Sequence, residues 1–351
     1  MADSESRSGK RHCDGVGSIV ANHYNSIEAK GLKERTKSRI FFMRNSNNWI
    51  KSYLINYCLE QIRDRQVDDY PISVLDLGCG KGGDLLKWQK GNIKHLICAD
   101  IAETSMDQCQ ERHEINKRKG RGGLFSAEFI VADCTKRRIK PLFENPSKKV
   151  DLVSCQFAFH YCFESLDQAE TMLCNVSENL KKGGYFVATI PNANEIMSRL
   201  KATTGNSFGN EVYRIEFPED RPKKSSLFGD RYNFFLEGVV DCPEFLVHPP
   251  TLENYLHIGK SNMLPLCTTT LVSISQMLLL GQSKSKTHRN KYKQNPSNYP
   301  TDEQSTETDG EYSHAQEHLA SKEGVSRIRT LSKSEWEALC LYRACVFKKI
   351  T

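Results

Sequence analysis

The sequence lacks three features that would assign it to a common class of protein. Its 13 cysteines include no C-x-x-C pair, so we expect neither a zinc site nor any other bound metal. The opening residues, MADSESRSGKRHCDG, contain no apolar segment of the kind found in a secretory signal. The longest apolar run, from Met263 to Leu280, is interrupted by a proline, three threonines, two serines and a glutamine. We therefore expect no membrane span and no membrane partner.

The sequence also lacks a large excess of either sign of charge. It has 49 Lys and Arg and 43 Asp and Glu, for a formal net charge of +6. This small excess of base is compatible with a polyanionic partner but does not require one. The 351 residues and the 38% apolar fraction are typical of a globular chain. Composition predicts a disordered tail over residues 1–17 and one domain over 18–351, with an insertion over about 197–240.

Short apolar segments alternate with helix-like segments in the first half of this domain. Strands are predicted at 72–77, 95–100, 127–133, 150–156 and 184–190, and the apolar stretch 334–349 is expected to return to the sheet. The predicted strands are apolar on both faces, which is typical of a parallel sheet covered by helices on both sides. The pattern therefore predicts an α/β fold.

The strongest local motif is VLDLGCGKGGD at 74–84, where a predicted strand runs into Gly78, Gly80 and Gly83 and a helix is expected near Lys81. Glycines at this spacing allow positive φ and remove the Cβ that would separate the backbone from a nucleotide. A tight turn that binds nothing has the same signature. Where a ligand is bound, the loop alone leaves a dinucleotide and S-adenosylmethionine open.

Polar side chains lie at the carboxyl ends of four of the predicted strands. They are Asp76, Asp100, Asp133 and Gln156. Ligands of open α/β sheets bind at the carboxyl ends of the strands, so these side chains are expected to meet in one crevice. Asp100 lies 22 residues after Gly78, near the usual spacing of the acid that accepts from a ribose diol. Asp76 would face an anion unfavourably but suits the ammonium of a methionine moiety, which favours S-adenosylmethionine.

Eight stretches of the sequence resemble the eukaryotic mRNA cap (guanine-N7) methyltransferases, over residues 19–247 and about 314–349. They are VANHYN, SRIFFMRNSNNWIKS, VLDLGCGKGGDLLKW, SCQFAFHYCFES, GGYFVATIPN, SFGNEVY, LEGVVDCPEFLV and TLSKSEWEA. The resemblance implies a Rossmann-like class I methyltransferase fold: a mostly parallel seven-stranded sheet, helices on both faces and a small cap-side insertion. It also implies S-adenosylmethionine as cofactor, the capped 5′ end of mRNA (GpppN) as substrate, and residence in the nucleus.

The resemblance also implies two sets of site residues. The cofactor would contact Lys51, Asp76, Gly78, Gly80, Asp100, Asp133, Gln156 and Tyr161. The mRNA cap would contact Asn47, Asn48, Lys81, Lys87, Arg112, Phe157, His160, Glu244 and Tyr342. Within the second set, Lys81, Lys87 and Arg112 would meet the phosphates and the ribose.

Guanine N7 carries a free lone pair and no proton, so its methylation needs no general base. It needs the purine to be held in line with the methyl group, with electrostatic support for the positive charge that the product gains. We therefore expect no acid–base catalyst. Orientation is expected from Glu244, which would accept from N1–H and the N2 amino group, and from Phe157, His160 and Tyr161.

The resemblance ends between His248 and about Tyr312, where the family continues with a helical lobe that receives a small activating subunit. The divergent segment, about 248–325, is predicted to be largely disordered, although TTTLVSIS at 268–275 suits a strand. We interpret the divergence as an altered reading frame or exon. Two alternatives to the methyltransferase stay open. The divergent segment leaves open a catalytically impaired cap- or RNA-binding protein, and the glycine motif leaves open a nicotinamide-dependent oxidoreductase.

Overall fold

A computed structural model describes residues 15–27, 38–66, 68–119, 125–222, 226–252 and 331–350, together with the backbone of a strand over 266–273. The helices are α1 Val16–Ser26, α2 Phe41–Arg63, α3 Leu85–Lys90, α4 Glu103–Arg118, α5 Leu166–Asn179, α6 Ala193–Lys201 and α7 Lys333–Leu339. Short 3-10 helices span Lys140–Leu142 and Phe159–Glu164. The strands are β1 Ser73–Leu77, β2 His95–Asp100, β3 Ser126–Val131, β4 Val150–Gln156, β5 Leu180–Pro191, β6 Ser207–Gly209, β7 Tyr213–Glu216, β8 Arg231–Leu236, β9 Val240–Phe245, β10 Leu266–Ser273 and β11 Tyr342–Lys349.

The larger sheet has seven strands in the order β10-β11-β5-β4-β1-β2-β3. Strands β1 to β5 pair in parallel, and β11 runs antiparallel to both of its neighbours, β5 and β10. Every residue of β1 and β4 is buried, so helices cover both faces of the sheet centre. The predicted α/β fold with a mainly parallel seven-stranded sheet is confirmed.

Local sequence explains where the elements near the site begin. Helix α5 begins after Ser165, whose side chain accepts from the backbone N–H of Gln168. Helix α7 begins with a capping box, in which Ser332 and Glu335 each accept from the other's backbone N–H. The helix expected near Lys81 begins only at Leu85, because the glycine-rich turn continues to Asp84.

A second, antiparallel sheet of four strands, in the order β6-β7-β8-β9, follows helix α6. Strands β7 and β8 alternate buried and exposed residues, so one face of the sheet packs on the molecule and the other meets solvent, whereas β9 is buried from Cys242 to Phe245. The sheet continues to Phe245, beyond the end at about 240 that composition suggests for the insertion. The extra residues carry Glu244, so this sheet positions a predicted site residue.

Of the stretch 334–349 predicted to return to the sheet, only β11 does so, because the first residues of the stretch form helix α7; strand β10 supplies the edge strand that TTTLVSIS suits. The tail up to residue 14 and most of the divergent segment 248–325 lie outside the described residues. None of the described helices has the length and apolar character that a membrane crossing requires.

Candidate active site

The glycine loop connects β1 to α3 and adopts the positive φ values that its glycines allow, +66° at Gly78 and +52° at Gly80. A Cβ on Gly78 would lie 2.6 Å from the Cβ of Ala158, so the loop is in close contact with the turn after β4. A Cβ on Gly80 would meet nothing within 4 Å. Gly80 therefore faces open space at the carboxyl end of the sheet, where a ligand would approach the backbone.

Asp100 lies at the end of β2, and one of its carboxylate oxygens holds the glycine loop while the other holds the turn that leads to α4. Oδ2 accepts from the backbone N–H of Gly80 at 2.8 Å, and Oδ1 accepts from that of Ala102 at 2.8 Å. Burial raises the pKa of Asp100, and the two backbone donors oppose that rise. Each oxygen keeps a second lone pair, so the carboxylate retains the capacity to accept from a vicinal diol.

Asp76 lies under the loop and is only 4% exposed. Its Oδ2 accepts from the Trp88 indole N–H at 3.0 Å. Burial, together with the neighbouring Asp84, raises the pKa of Asp76 to about 8, while Trp88 and Lys51 act in the opposite direction. The carboxyl group is therefore poised to ionise when a cation approaches.

The other two strand-end residues have different surroundings. Asp133 lies beyond the end of β3, and its Oδ1 accepts from the backbone N–H and the hydroxyl of Thr135 at 2.9 and 2.6 Å. Gln156 is 8% exposed, accepts from the Thr189 hydroxyl at 2.6 Å and donates to Ser154 Oγ at 3.3 Å. These bonds orient both side chains at the edge of the crevice.

Two of the predicted residues, Lys51 and Lys87, meet on an acid that sequence reasoning missed, Asp84. Lys51 and Lys87 place their ammonium groups 2.9 and 2.7 Å from Asp84 Oδ1, and Lys87 also donates to Asn48 Oδ1 at 3.0 Å. Burial opposes ionisation of Asp84, but the two lysines outweigh it and hold its pKa below the ordinary value. The signal available in the sequence was its position at the end of the glycine motif.

The remaining predicted cationic and amide residues flank this group. Lys81, in the loop, donates to the backbone carbonyl of Ile27 at the end of α1. Arg112 is half-buried on α4. Asn47 lies beside Asn48 on α2, and its buried Oδ1 accepts no hydrogen bond from the described residues. The cationic side chains thus surround the loop from α2, α3 and α4.

A buried carboxylate lies at the centre of a group of aromatic side chains between the two sheets. Glu244, on β9, is 3% exposed, and its Oε2 accepts from the Tyr232 hydroxyl at 2.8 Å. His160 Nε2 lies 3.2 Å from Glu244 Oε1, but neither nitrogen of His160 has an aligned hydrogen bond among the described residues. Oε1 and the imidazole therefore retain unused hydrogen-bonding capacity in a buried position.

The aromatic walls of this pocket come from three elements. Phe157 follows β4 with φ +61°, a left-handed conformation that a non-glycine residue rarely adopts. Its ring meets Tyr342, on β11, edge to face at 5.0 Å between centroids, and Phe234 meets the other side of Tyr342 at 6.3 Å. His160 and Tyr161 are adjacent at 4.3 Å. The structure thus brings together five residues that the resemblance assigns to the cap, Phe157, His160, Tyr161, Glu244 and Tyr342, and their roles stay a prediction.

Tyr24, on α1, joins this pocket to the loop side of the site, a role that sequence reasoning missed. Its hydroxyl lies 3.3 Å from that of Tyr161, which in turn lies 3.4 Å from Cys242 Sγ. Burial raises the pKa of Tyr24, and the charges of Glu244 and Asp100 add to that rise. The charges of both carboxylates therefore act on the Tyr24 hydroxyl and disfavour its ionisation. The motif VANHYN was the available signal, because it belongs to the resemblance.

The site fits S-adenosylmethionine on two observations. Gly80 leaves an open cradle beside the Asp100 carboxylate, which suits a nucleoside. Asp76 is a buried carboxyl group without a full ionic partner, which suits the ammonium of a methionine moiety.

Solved structures with the same general fold are distant in sequence. An S-adenosylmethionine-dependent methyltransferase from Clostridium acetobutylicum is 16% identical with a TM-score of 0.41, covering 83% of this chain and 90% of its own. The plantazolicin methyltransferase BamL, solved with SAH, is 13% identical with a TM-score of 0.45, covering 95% and 91%.

The sequence comparisons are closer. Residues 7–350 match the model of the mRNA (guanine-N(7))-methyltransferase domain. The mRNA cap guanine-N(7) methyltransferase of Drosophila melanogaster is 46% identical over 342 residues, which are 94% of this chain and 77% of that protein. The protein of the same name from Caenorhabditis elegans is 38% identical over 338 residues, covering 95% and 87%.

The match to the family model makes the protein an S-adenosylmethionine-dependent methyltransferase, and its parallel sheet and glycine loop agree with that class. Within that class, the chain belongs to the mRNA (guanine-N(7))-methyltransferase family. Membership decides between the two ligands that the glycine loop left open, in favour of S-adenosylmethionine and against a nicotinamide cofactor. The alternative of an impaired binding protein depends on residues 248–312, most of which lie outside the described residues.

Proposed function

We propose that the protein transfers the methyl group of S-adenosylmethionine to N7 of the guanine in the 5′ GpppN cap of nascent mRNA. The observation that carries this proposal is the buried Glu244 carboxylate, enclosed by aromatic rings and close to the glycine loop. A carboxylate in such a pocket matches the paired N1–H and N2–H donors of guanine. The contact between Gly78 and Ala158 places the loop beside the same pocket.

We propose that the pocket acts by orienting the purine. Glu244 Oε1 accepts from the guanine edge, while the Tyr232 hydroxyl on Oε2 fixes the rotation of the carboxylate. His160, whose nitrogens lack aligned partners among the described residues, donates to the guanine O6. Phe157, Tyr161 and Tyr342 supply apolar and stacking contacts.

When bound, S-adenosylmethionine supplies a methyl group on a sulfonium centre. The product purine carries a positive charge, and the Glu244 carboxylate in its poorly solvated surroundings stabilises that charge more than it would in water. No side chain has to remove a proton, because N7 has none. The reaction then depends on positioning and electrostatics.

The proposed cofactor contacts divide among the loop, the strand ends and α2. Asp76 holds the ammonium, Lys51 the carboxylate and Asp100 the ribose hydroxyls, while Gly78 and Gly80 allow the backbone to approach. Asp133, Gln156 and Tyr161 lie at the adenine and methionine edges of the same crevice. On the cap side, Asn47, Asn48, Lys81, Lys87 and Arg112 meet the ribose and the triphosphate bridge.

The test compares Glu244→Gln with Asp241→Asn, which changes an exposed carboxylate on the same strand. Charged hydrogen bonds are worth roughly 1.5–3 kcal/mol each, so we expect kcat/KM for GpppN-capped RNA to fall about 10²-fold or more in Glu244→Gln. The affinity for S-adenosylmethionine should change less than about threefold. The measurement is radiolabelled methyl transfer, with uncapped RNA as the second substrate.

Two results would refute the proposal. One is a Glu244→Gln variant that methylates capped RNA as well as Asp241→Asn does. The other is a wild-type protein that methylates capped and uncapped RNA equally. A wild-type protein that binds capped RNA but transfers no methyl group would instead support the impaired binding protein.

We further propose nuclear residence, which rests on the family alone. The small activating subunit that the resemblance implies would dock on the divergent segment, which lies almost entirely outside the described residues, so it stays a prediction.

A further inference from the structure

Three cysteine thiols meet directly behind the glycine loop. Cys79 lies in the loop between Gly78 and Gly80, Cys98 lies on β2, and Cys109 lies on α4. Their three Sγ atoms all fall within 4.8 Å of one another. Cys98 and Cys109 are buried, and Cys79 is half-buried. The three cysteines are far apart in the sequence and form no C-x-x-C pair, so their spacing does not indicate that they meet in the fold.

The cluster is packed against the loop at a second point. A Cβ on Gly82 would lie 2.7 Å from Cys109 Sγ, so the loop backbone rests on this thiol. The three thiols thus lie together where the loop, β2 and α4 meet, and thiolates are ligands that soft metal ions prefer.

The geometry suits a soft metal ion. A Zn²⁺–thiolate bond of about 2.3 Å places the sulfurs of a tetrahedral site about 3.8 Å apart. The observed separations need to contract by about 1 Å or less to reach that value. Three sulfurs and an open fourth position are compatible with Zn²⁺, and three sulfurs in a plane are compatible with Cu⁺. Both are thiophilic d¹⁰ ions.

We propose that Cys79, Cys98 and Cys109 form a binding site for a thiophilic d¹⁰ metal ion. Binding displaces the thiol protons and links the loop to β2 and α4 through the metal. The inference rests on the three sulfurs and the fold, and it holds whether or not the proposed methyl transfer is correct. It departs from the sequence-based expectation of no metal.

The test uses the full-length reduced protein and Zn²⁺ alone, in competition with a chromophoric chelator. We expect one Zn²⁺ per chain at this site, with affinity reduced at least tenfold in Cys98→Ser and in Cys109→Ser. The matched control is Cys58→Ser, which removes a buried thiol on α2 outside the cluster. A parallel titration with Cu⁺ shows which of the two ions the site prefers.

A second measurement on the wild-type protein covers the case in which a variant fails to fold. Bound Zn²⁺ or Cu⁺ should protect the half-buried Cys79 from alkylation, as read by peptide mass spectrometry, while the half-buried Cys174 and Cys340 stay reactive. The proposal is overturned if the protein binds neither ion, if both cluster variants bind as tightly as Cys58→Ser, or if protection maps to other cysteines.

Discussion

At the scale of single residues, the buried carboxyl group of Asp76 links cofactor binding to pH. Its pKa is raised to about 8, mainly by burial and by Asp84, so the carboxyl group holds a proton at neutral pH before any ligand arrives. An ammonium group favours the ionised form. On the proposed contact between Asp76 and the ammonium of S-adenosylmethionine, binding releases that proton, so we expect the affinity for the ligand to depend on pH.

We predict that the affinity for S-adenosylmethionine rises between pH 5.5 and pH 7, by at most about tenfold per pH unit. This window stays below the ordinary pKa of an α-amino group, so the ligand keeps its charge. Calorimetry in buffers of different ionisation enthalpy should show proton release. In Asp76→Asn the affinity should be weaker and nearly independent of pH. An equally steep pH profile in that variant would show that another group titrates.

The raised pKa of Asp76 has the opposite effect on the stability of the ligand-free protein, which decreases as the pH rises. Between about pH 4, where the carboxyl group of an unfolded Asp ionises, and about pH 8, the folded state holds a proton that the unfolded state has lost. Stability therefore falls as pH rises through this window, and the melting temperature of the ligand-free protein should fall less in Asp76→Asn. Asp76 thus lowers the stability of the ligand-free protein in this pH range, as expected of a residue whose proposed role is to bind the cofactor.

At the scale of elements, the glycine loop and its surrounding strands were predictable from sequence, and the pocket was not. The sheet follows from apolar runs such as β1 and β4, whose composition fits full burial. Asp84 and Tyr232 carry no signal of this kind. Their roles depend on Lys51 and Glu244, which reach them only after the chain has folded. For Glu244 and His160, only the resemblance to the family gave a role.

Helix α7 supports the site through one carboxylate that serves two helix starts. Glu335 accepts from Ser332 at the start of α7, and its Oε1 also accepts from the backbone N–H of Met43, in the first turn of α2, at 2.9 Å. Helix α2 carries Asn47, Asn48 and Lys51. A residue near the C-terminus therefore fixes the helix that forms one side of the crevice.

We predict that Glu335→Ala lowers the free energy of unfolding by roughly 1–3 kcal/mol, because it leaves buried donors at two helix starts without a partner. The measurement is denaturant unfolding monitored by circular dichroism. Lys333→Ala is the matched control, since Lys333 is exposed in the first turn of the same helix. The affinity for S-adenosylmethionine should weaken in Glu335→Ala alone. Equal stability of the two variants would contradict the double capping role.

At the scale of the whole molecule, the site lies between two sheets that hold different halves of it. The parallel sheet carries the glycine loop, and the antiparallel sheet carries Glu244. A buried pair fastens the second sheet: Arg221 donates to both carboxylate oxygens of Asp230, each at 2.8 Å. Next to it, the backbone N–H of Gly229 donates to the carbonyl of Phe163, after β4, at 2.8 Å.

This pair closes the β7–β8 connection of the second sheet, beside the hydrogen bond between Gly229 and Phe163, so its loss should loosen the contact between the two halves of the site. We predict that Asp230→Asn lowers stability, by up to about 3–5 kcal/mol if the guanidinium loses its partner entirely. KM for capped RNA should rise at least about tenfold, while the affinity for S-adenosylmethionine changes less than about threefold. Glu216→Gln is the control, since Glu216 and Arg214 form an exposed pair at 3.7 Å on the same sheet and should contribute little. If Asp230→Asn weakens both ligands by the same factor, the two sheets act as one unit and the site is not divided between them.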